Sequence, residues 1–395
     1  MLSDCVGNGW KLYKVCDFAE VVGGGTPSTS IPQNFGDDIP WITPKDLSTH
    51  RSRYIARGER SLSLQGLAIS SAKRLPAGTV LVSSRAPIGL TAIAYNEVST
   101  NQGCRSLVLK PELADSEFVY YLMLASTDYL HRHANGTTFM ELPGGVFKNL
   151  EFLLPPLDEQ RRITEVLNAV DSKIDTCWHL EKTLADLVVQ ECRCAVGDRT
   201  SDEVFSLLDA VRLVNGGAYT NGADGIGRMV IRIKELNSGP SETTVYTTLQ
   251  VPDDKTAYPG DVLFAWSGSL GVWRWYRDEA IVNQHIFKVL PKAYPVSLGW
   301  VLLLDELETF QDIAAGKATT MGHITKDHLE RTMVPKLSDD ELASLTAAVE
   351  PIWEYQLRVG REVQSLVALR DFLLPRLVSG ELRVADAKKL VEAAT

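Results

Sequence analysis

The feature that most constrains this chain is a long internal repeat. Residues 77–84 are AGTVLVSS and residues 259–266 are PGDVLFAW, and the dipeptide at 101–102 returns at 283–284 (283 − 101 = 182). A period of 182 is far above the roughly 20–50 residues of solenoid repeats. It therefore indicates a duplicated domain together with the segment that follows it. Two similar but non-identical modules are typical of a protein that recognises two different targets.

Length and composition are those of a globular protein. The chain has 395 residues, of which 45% are hydrophobic, enough for two domains of roughly 100–200 residues each. We find no signal peptide and no stretch near the roughly 18 apolar residues of a membrane helix. The six cysteines show neither Cys-x-x-Cys pairing nor zinc spacing. We therefore expect a cytoplasmic protein with reduced thiols, no membrane contact and no metal site.

The charge pattern leaves the partner class open. Forty basic and fifty acidic residues give a net charge of −10, which argues weakly against a large nucleic-acid surface. The first 155 residues, however, carry 14 of each sign, and basic residues cluster near 50–60 and 228–234. Such clusters suit phosphate contacts, but they are equally compatible with solvated loops.

Each copy of the repeat has a β-rich part with many turn residues, followed by a long amphipathic helix. We therefore predict an α+β protein: two similar mixed α/β domains separated by two long antiparallel coiled-coil helices, related by a pseudo-twofold repeat. The predicted segments are 1–155 and 197–336 for the recognition domains, 156–196 and 337–380 for the spacer helices, and 381–395 for a C-terminal tail.

Apolar residues in both helical segments recur at steps of three and four, as a coiled-coil seam requires. The predicted seam contains Leu167, Val170, Ile174, Leu184, Leu345, Val349, Ile352, Val359, Val363 and Leu366. We expect Pro351 to kink the second helix or end one segment, since an internal proline removes a hydrogen bond. The alternative to helix-on-helix packing is that each helix packs back on its own module.

Motifs of common enzymes are missing from the sequence. It contains no phosphate-binding loop, no His-Glu-x-x-His, no Gly-x-Ser-x-Gly and no Asn/Asp-Pro-Pro-Tyr/Phe methyltransferase motif. We therefore predict a non-catalytic binding subunit with no cofactor of its own.

Several segments, in order and partly duplicated, resemble the specificity subunit of type I restriction–modification systems, the HsdS family. They are LPPLDEQRRI at 154–163, DIPWI at 38–42, NQG at 101–103 and DFLLPRLVSGEL at 371–382. The second copy departs from the pattern, since residues 334–341 are VPKLSDDE and lack a counterpart of Gln160.

This resemblance implies a subunit that reads a bipartite, asymmetric sequence in double-stranded DNA, one half per module, with the helices setting the gap. It also implies two partner methyltransferase subunits that carry S-adenosylmethionine, and restriction (translocase–nuclease) subunits as further partners. The residues it suggests for partner binding are Leu157, Glu159, Gln160 and Ile163.

Bases are read by polar side chains that reach their edges, chiefly in the major groove. From repeat-equivalent positions and side-chain chemistry, the DNA-binding candidates of the first module are Lys45, Ser83, Ser84, Arg85, Asn101, Gln102, Arg105, Thr137 and Thr138. Those of the second are Arg232, Lys234, Ser267, Ser269, Asn283, Gln284, Thr319 and Thr320. The two Asn-Gln pairs have a structural alternative, in which they cap a turn through side-chain-to-backbone bonds.

Two other functions stay open at this point. One is a coiled-coil scaffold with two protein-binding modules and no DNA readout. The other is a nuclease or methyltransferase with an unrecognised active site.

Overall fold

The structure, a computed structural model, describes residues 9–50, 52–136, 140–197, 204–316 and 322–394. The chain forms two compact units. Unit 1 comprises Met1–Ser172 and Ala368–Thr395, and unit 2 comprises Lys173–Val367. Each unit therefore contains one module and a part of each long helix.

The first module is built from short strands and helices. Its strands are β1 (Lys11–Lys14), β2 (Ala19–Gly23), β3 (Phe35–Ile42), β4 (Tyr54–Ile55), β5 (Arg60–Leu62), β6 (Val80–Ser84), β7 (Ile88–Ala94), β8 (Ser99–Thr100), β9 (Cys104–Leu109) and β10 (Glu151–Leu154). Its helices are α1 (Val15–Phe18), α2 (Pro44–Thr49), α3 (Leu64–Ala68), α4 (Ser116–Ala125), α5 (Thr127–Arg132) and α6 (Gly144–Phe147). The long helix α7 (Leu157–Val196) follows.

The second module repeats this order. Its strands are β11 (Val204–Ser206), β12 (Val211–Asn215), β13 (Arg228–Ile231), β14 (Tyr246–Thr247), β15 (Thr256–Ala257), β16 (Val262–Ala265), β17 (Gly271–Arg274), β18 (Ala280–Val282), β19 (Ile286–Pro291) and β20 (Met333–Pro335). Its helices are α8 (Leu207–Ala210), α9 (Ile233–Ser238), α10 (Val296–Asp305), α11 (Leu307–Ala315) and α12 (Lys326–Arg331). The chain continues with the long helix α13 (Asp339–Val378) and with α14 (Val384–Ala394).

The sheets of the two modules have similar strand orders and differ by one strand in each sheet. The main sheet has the order β2-β9-β6-β7-β4 in the first module and β12-β19-β16-β17 in the second. A smaller sheet, β5-β3-β8 or β14-β13-β18-β15, lies beside each, and β1 pairs with β10 as β11 pairs with β20. The predicted α+β class and the internal repeat are therefore confirmed.

Within each unit, segments of α7 and α13 run antiparallel. In unit 2, Lys173 pairs with Glu362 at 3.0 Å, and Gln356 donates to Glu181 at 2.8 Å. Residues later in α7 therefore contact residues earlier in α13, as in an antiparallel pair. In unit 1, Arg370 lies 3.9 Å from Asp171. The prediction of two long antiparallel helices is confirmed at the level of each unit.

The predicted seam residues lie on the covered side of these helices. Leu167, Val170, Ile174, Leu345, Val349, Val359, Val363 and Leu366 are buried, and Leu184 and Ile352 are half-buried. The ends of the helices also belong to the module cores. Leu167 joins the core of the first module and Val349 that of the second. The alternative interpretation, packing on a module, is thus correct for the helix ends.

Pro351 does not end a helical segment, because α13 runs through it from Asp339 to Val378. The other predicted outcome, a kink at Pro351, stays a prediction. Pro351 and Ala347, four residues before it, are both exposed. Water can therefore satisfy the carbonyl that the missing N–H leaves unpaired. On the opposite side of the helix Val349 and Trp353 are buried in the core of the second module, and this packing holds the helix in place.

Candidate nucleic-acid interface

Both modules hold their Asn-Gln loop against a glycine loop in the same way. A Cβ atom added to Gly24 would lie 2.2 Å from the carbonyl oxygens of Thr100 and Asn101. One added to Gly216 would lie 2.2 Å from the carbonyl oxygen of Asn283. Two backbones approach here more closely than any side chain permits. This shared frame presents the residues that follow β8 and β18 at one place in each module.

The Asn and Gln residues of these loops have different roles. Asn101 Oδ1 accepts a hydrogen bond from Gly103 N at 2.9 Å, so its role as a turn cap is observed. Asn283 is buried, and its Oδ1 has no hydrogen-bond partner in the described part of the chain. Gln102 and Gln284 are exposed. The two glutamines are therefore the members of each pair whose side chains are accessible to DNA.

Three serines that the sequence suggested for DNA binding are buried. Ser83 Oγ donates to Pro87 O at 2.6 Å and accepts from Leu90 N at 2.9 Å. Ser84 Oγ donates to Gly103 O at 3.1 Å, and Ser267 is also buried. The central strand β6 is covered along its whole length, so Ser83 and Ser84 contribute to the packing of the module. Burial favours a structural role for all three serines.

The basic candidates of the first module differ in accessibility. Arg85 is half-exposed, with its guanidinium 3.7 Å from Glu141. Arg105 is mostly covered, donates to Glu141 at 3.0 Å and also donates to the carbonyl of Gln102. Lys45 is well exposed and pairs with Glu59 at 2.6 Å. Arg85 and Lys45 can therefore exchange a weak surface ion pair for a base or phosphate contact.

In the second module Arg232 is already engaged. Its guanidinium donates to both carboxylate oxygens of Glu235 at 3.0 and 2.6 Å, and to Thr243 O at 2.7 Å. The hydrogen bond with Glu235 raises the pKa of Arg232 above its usual value. Lys234 is exposed and contacts Thr243 Oγ1, and Ser269 is exposed as well. Thr137, Thr138, Thr319 and Thr320 lie outside the described residues.

A set of residues that the sequence analysis did not select lies on the same frame. Leu142 N donates to Ser84 O at 2.9 Å, and in the second module Ile324 N donates to Trp266 O at 3.1 Å. Each pair of equivalents is again 182 positions apart (324 − 142 and 266 − 84). The same spacing of 182 pairs each residue of the first module with its counterpart in the second, and it shows where the two side chains differ in type.

The chemistry around this shared hydrogen bond changes from ionic to aromatic. The Arg105–Glu141 pair of the first module is replaced by Phe287 and His323. The Trp266 ring lies 5.9 Å from Phe287 and 6.4 Å from His323, and its Nε1 donates to Asn215 Oδ1 at 2.9 Å. These side chains line a cavity of about 400 Å³.

Two of the predicted partner-binding residues are parts of the core of unit 1. Gln160 is fully buried; its Oε1 accepts from Asp115 N at 2.8 Å, and its Nε2 donates to Leu113 O and Pro155 O at 2.9 Å. Ile163 is buried as well. Neither side chain is available to another protein, and we assign both a structural role.

The other two predicted partner-binding residues, Leu157 and Glu159, are half-buried and remain accessible at the start of α7.

Buried polar groups fasten the second module to the long helices within unit 2. Arg274 donates to Gln356 Oε1 at 2.7 Å and to Trp353 O at 2.6 Å. Tyr276 and Gln356 both donate to Glu181 Oε1. Burial lowers the pKa of Arg274 to about 10 and raises that of Tyr276. Glu181 and Gln356 are polar residues within the apolar seam, and they fix the two long helices to the second module.

An equivalent anchor exists in unit 1. The Tyr121 hydroxyl donates to Asp171 Oδ2 at 2.6 Å and accepts from Arg53 at 3.1 Å, and Asn168 donates to Glu117 at 2.6 Å. The residues that meet the helices differ from those of unit 2. What the two units share is a module tyrosine whose hydroxyl donates to a carboxylate of α7.

The described ranges contain neither a membrane-spanning helix nor a cluster of metal ligands. No helix there has the length and apolarity to cross a membrane. No group of three or more His, Cys, Asp or Glu side chains there is placed to hold a metal ion.

Comparison with known proteins gives this architecture a class. Residues 7–184 match the type I restriction modification DNA specificity domain. The chain is 29% identical over 419 residues to the type I restriction enzyme MjaIX specificity subunit of Methanocaldococcus jannaschii, covering 95% of this chain and 94% of that one. It is 28% identical over 214 residues to the HindI specificity subunit of Haemophilus influenzae, covering 53% and 42%.

The fold is also that of a solved structure. The crystal structure of a type I restriction–modification S subunit from M. genitalium superposes with a TM-score of 0.58 at 13% identity, covering 95% of this chain and 97% of that one. Residues 7–184 thus match the type I restriction modification DNA specificity domain, and the chain as a whole is similar to type I specificity subunits, as its motifs suggest.

Proposed function

We propose that this chain gives a type I restriction–modification complex its DNA specificity, by reading a bipartite, asymmetric sequence in double-stranded DNA. One observation carries the proposal: two modules share a backbone frame while the side chains on it differ, as in Arg105–Glu141 against Phe287–His323. A duplicated scaffold with diverged contact residues suits recognition of two different half-sequences. A scaffold that bound one partner twice would have no reason to diverge there.

The exposed polar side chains on and near this frame are the proposed DNA contacts. They are Lys45, Arg85 and Gln102 in the first module and Lys234, Ser269 and Gln284 in the second. Their chemistry fits direct readout, since arginine and lysine recognise guanine and glutamine recognises adenine through paired hydrogen bonds. We propose residues 1–155 and 197–336 as the two recognition domains, with 156–196 and 337–380 as spacer helices.

We further propose that two methyltransferase subunits dock on the helices, with Leu157 and Glu159 among the contacts, and supply S-adenosylmethionine and catalysis. Restriction subunits would join the same assembly, and the complex would act on DNA in the cytoplasm. The net charge of −10 supports this division of work. A subunit this acidic depends on its partners for much of the phosphate attraction that gives affinity for DNA.

The test is methylome sequencing of a host that expresses this chain with its methyltransferase subunit. We expect methylated adenines in one motif made of two short sequences with a fixed gap. Expression of either subunit alone serves as control and should leave the DNA unmodified. A complex that forms but methylates no motif would favour the scaffold alternative. Methyl transfer by the purified chain alone would show a hidden active site instead.

A further inference from the structure

The aromatic cavity of the second module has properties of a binding site that the proposed readout by polar side chains does not use. Three aromatic rings contribute to its lining, those of Trp266, Phe287 and His323. The other lining residues are aliphatic or polar: Leu208, Leu213, Ile324, Leu329, Asn215, Thr325 and Lys326. The volume of about 400 Å³ falls within the range of small-molecule pockets. All of these residues belong to unit 2.

The first module fills the corresponding place with one of its own side chains. Arg105, the equivalent of Phe287, extends over Gly144, where an added Cβ atom would lie 3.3 Å from its Nε. Its guanidinium is then held by Glu141, the equivalent of His323. The second module has Lys326 in place of Gly144 (326 − 144 = 182) and has aromatic rings in place of the ion pair. The exchange opens a cavity between rings where the first module has a salt bridge.

We propose that this cavity holds one nucleobase that leaves the base stack of the second half-site. The inference rests on the proposed function, and it adds that one base of the second half-site enters the second module. A flat heteroaromatic ring fits a recess lined in part by tryptophan, phenylalanine and histidine, because every nucleobase has a face that can stack on an aromatic side chain. Asn215 and His323 carry hydrogen-bonding groups for the edge of such a ring.

The surroundings of the cavity also favour a nucleotide over another ligand. The exposed side chains of Ser269 and Gln284, which we propose as DNA contacts, follow Trp266 and precede His285 in the chain, and the His285 ring lies 5.1 Å from Trp266. Lys326 is well exposed and pairs with Glu330 on its own helix, at 3.0 Å. Its ammonium group can turn towards a backbone phosphate. DNA bound through Ser269 and Gln284 would therefore lie close to this cavity.

The experiment measures binding of the complete complex with its methyltransferase subunit to a duplex that carries the motif found by methylome sequencing. Each nucleoside of the second half-site is replaced in turn by an abasic analogue. We expect Trp266→Ala to weaken binding to the intact duplex about 10- to 100-fold, the range of one lost base–aromatic stack. At one position the abasic analogue should weaken wild-type binding by the same factor, and Trp266→Ala should then add no further loss.

A second measurement needs no variant. Removing the pairing partner of that base lowers the energy of unstacking it, and should tighten wild-type binding about 5- to 10-fold. Trp266→Phe, which keeps an aromatic face, should bind the intact duplex within about threefold of wild type. Ser84→Ala, at the equivalent position of the first module, should show no coupling with any base of the second half-site.

Three results would overturn the inference. One is that Trp266→Ala loses the same factor on every abasic duplex. Another is that replacing a thymine by uracil reproduces the whole effect, because the cavity would then hold a methyl group and not a ring. The third is that no position binds more tightly without its pairing partner. Failure of the proposed function looks different, since the wild-type complex would then have no motif to bind.

Discussion

At the scale of single residues, the glycines that pack against the Asn-Gln loops show how contact between two backbones replaces contact between side chains. Glycines at 23–25 suggest a flexible turn, but Gly24 lies against the carbonyl oxygens of Thr100 and Asn101. Gly25 N donates to Thr100 O at 2.9 Å, and Gly217 N donates to Val282 O at 3.2 Å in the second module. The requirement at this site is for the absence of a Cβ atom.

Gly24→Ala should therefore destabilise unit 1. Its Cβ would overlap carbonyl oxygens at 2.2 Å, and the loop must shift by more than an ångström. We expect a loss of about 1–3 kcal/mol in the free energy of unfolding, as for an overpacked core. Gly23→Ala is the matched control, since no atom lies within 4 Å of its added Cβ. Chemical denaturation of both variants measures the difference, and equal stability would contradict the close approach.

Arg85 is the residue-scale test of base readout. Its side chain is half-exposed and forms a long ion pair with Glu141 at 3.7 Å. Arg85→Ser should change the bases accepted in the first half-site, with a discrimination of about 1–3 kcal/mol lost at one position, and should leave the second half-site unchanged. Methylome sequencing gives the result. Arg74→Ser is the control, because Arg74 is a half-exposed arginine of the same module paired with Glu97. A change in the second half-site would disprove the assignment.

The cysteines should differ in reactivity according to burial. Cys104 and Cys192 are buried, and loss of solvation raises the pKa of each thiol from 9.0 to about 12, whereas Cys16 and Cys194 are exposed. Alkylation at pH 8 followed by mass spectrometry should therefore modify the exposed pair first. Because the folded pKa is the higher one, these thiols add stability below pH 9 that is lost as the pH rises towards 12. Equal alkylation rates for all four would contradict this burial.

At the scale of elements, Gln160 joins three of them. From α7 it bonds to the backbone of Leu113 and Asp115, just before α4, and to Pro155 at the end of β10. One amide group thus fixes the start of a long helix against its module. The corresponding helix α13 begins differently, with Ser338 and Glu341 bonded to each other as a capping box. The two copies reach the same helix bounds by different local chemistry.

Gln160→Ala should remove this junction. It removes the side-chain partner of one buried carbonyl, of one part-buried carbonyl and of one part-buried N–H, for which we expect a loss of about 2–4 kcal/mol. Glu159→Ala is the matched control: Glu159 is half-buried and forms a surface ion pair with Arg162 at 3.5 Å, so its loss should cost under about 0.5 kcal/mol. Thermal unfolding of both variants measures the difference. If Gln160→Ala impaired methyltransferase binding at unchanged stability, Gln160 would be a partner contact after all.

At the scale of the whole molecule, the paired helices offer a test of the spacer that we propose. The two units divide after Ser172 in α7 and after Val367 in α13. The neighbouring contacts, Lys173–Glu362 and Asp171–Arg370, show that these two points face each other in an antiparallel pair. An insertion at both points therefore lengthens both helices without shifting the contacts on either side.

Inserting one heptad at each point should lengthen the helices by about 10.5 Å, at about 1.5 Å per residue. Seven residues preserve the apolar seam. At about 3.4 Å per base step, the gap in the methylated motif should grow by about three base pairs, with both half-sequences unchanged. Methylome sequencing reads the gap directly. A seven-residue insertion in α7 alone is the control and should impair methylation, because the helices no longer match. An unchanged gap in the double insertion would show that the helices do not set the spacing.

The sequence by itself determined what depends on local pattern: the duplication, the α+β class, the two long helices and most of their seam. A period of 182 and apolar steps of three and four are visible in the chain because they repeat along it. The resemblance to type I specificity subunits followed from the same motifs, and similarity to one such subunit extends over 95% of the chain.

Tertiary structure alone decided which side chains are accessible. Ser83, Ser84, Ser267, Gln160 and Ile163 have suitable chemistry for a site and lie in the interior. Trp266 and Phe287 have the chemistry of a core and line an open cavity. Pro351 stays helical because Ala347, whose carbonyl it leaves unpaired, is exposed. Whether a side chain is buried depends on contacts with residues distant in the sequence, so a local sequence pattern cannot predict it. The accessibility of a side chain to DNA or a partner depends on that burial.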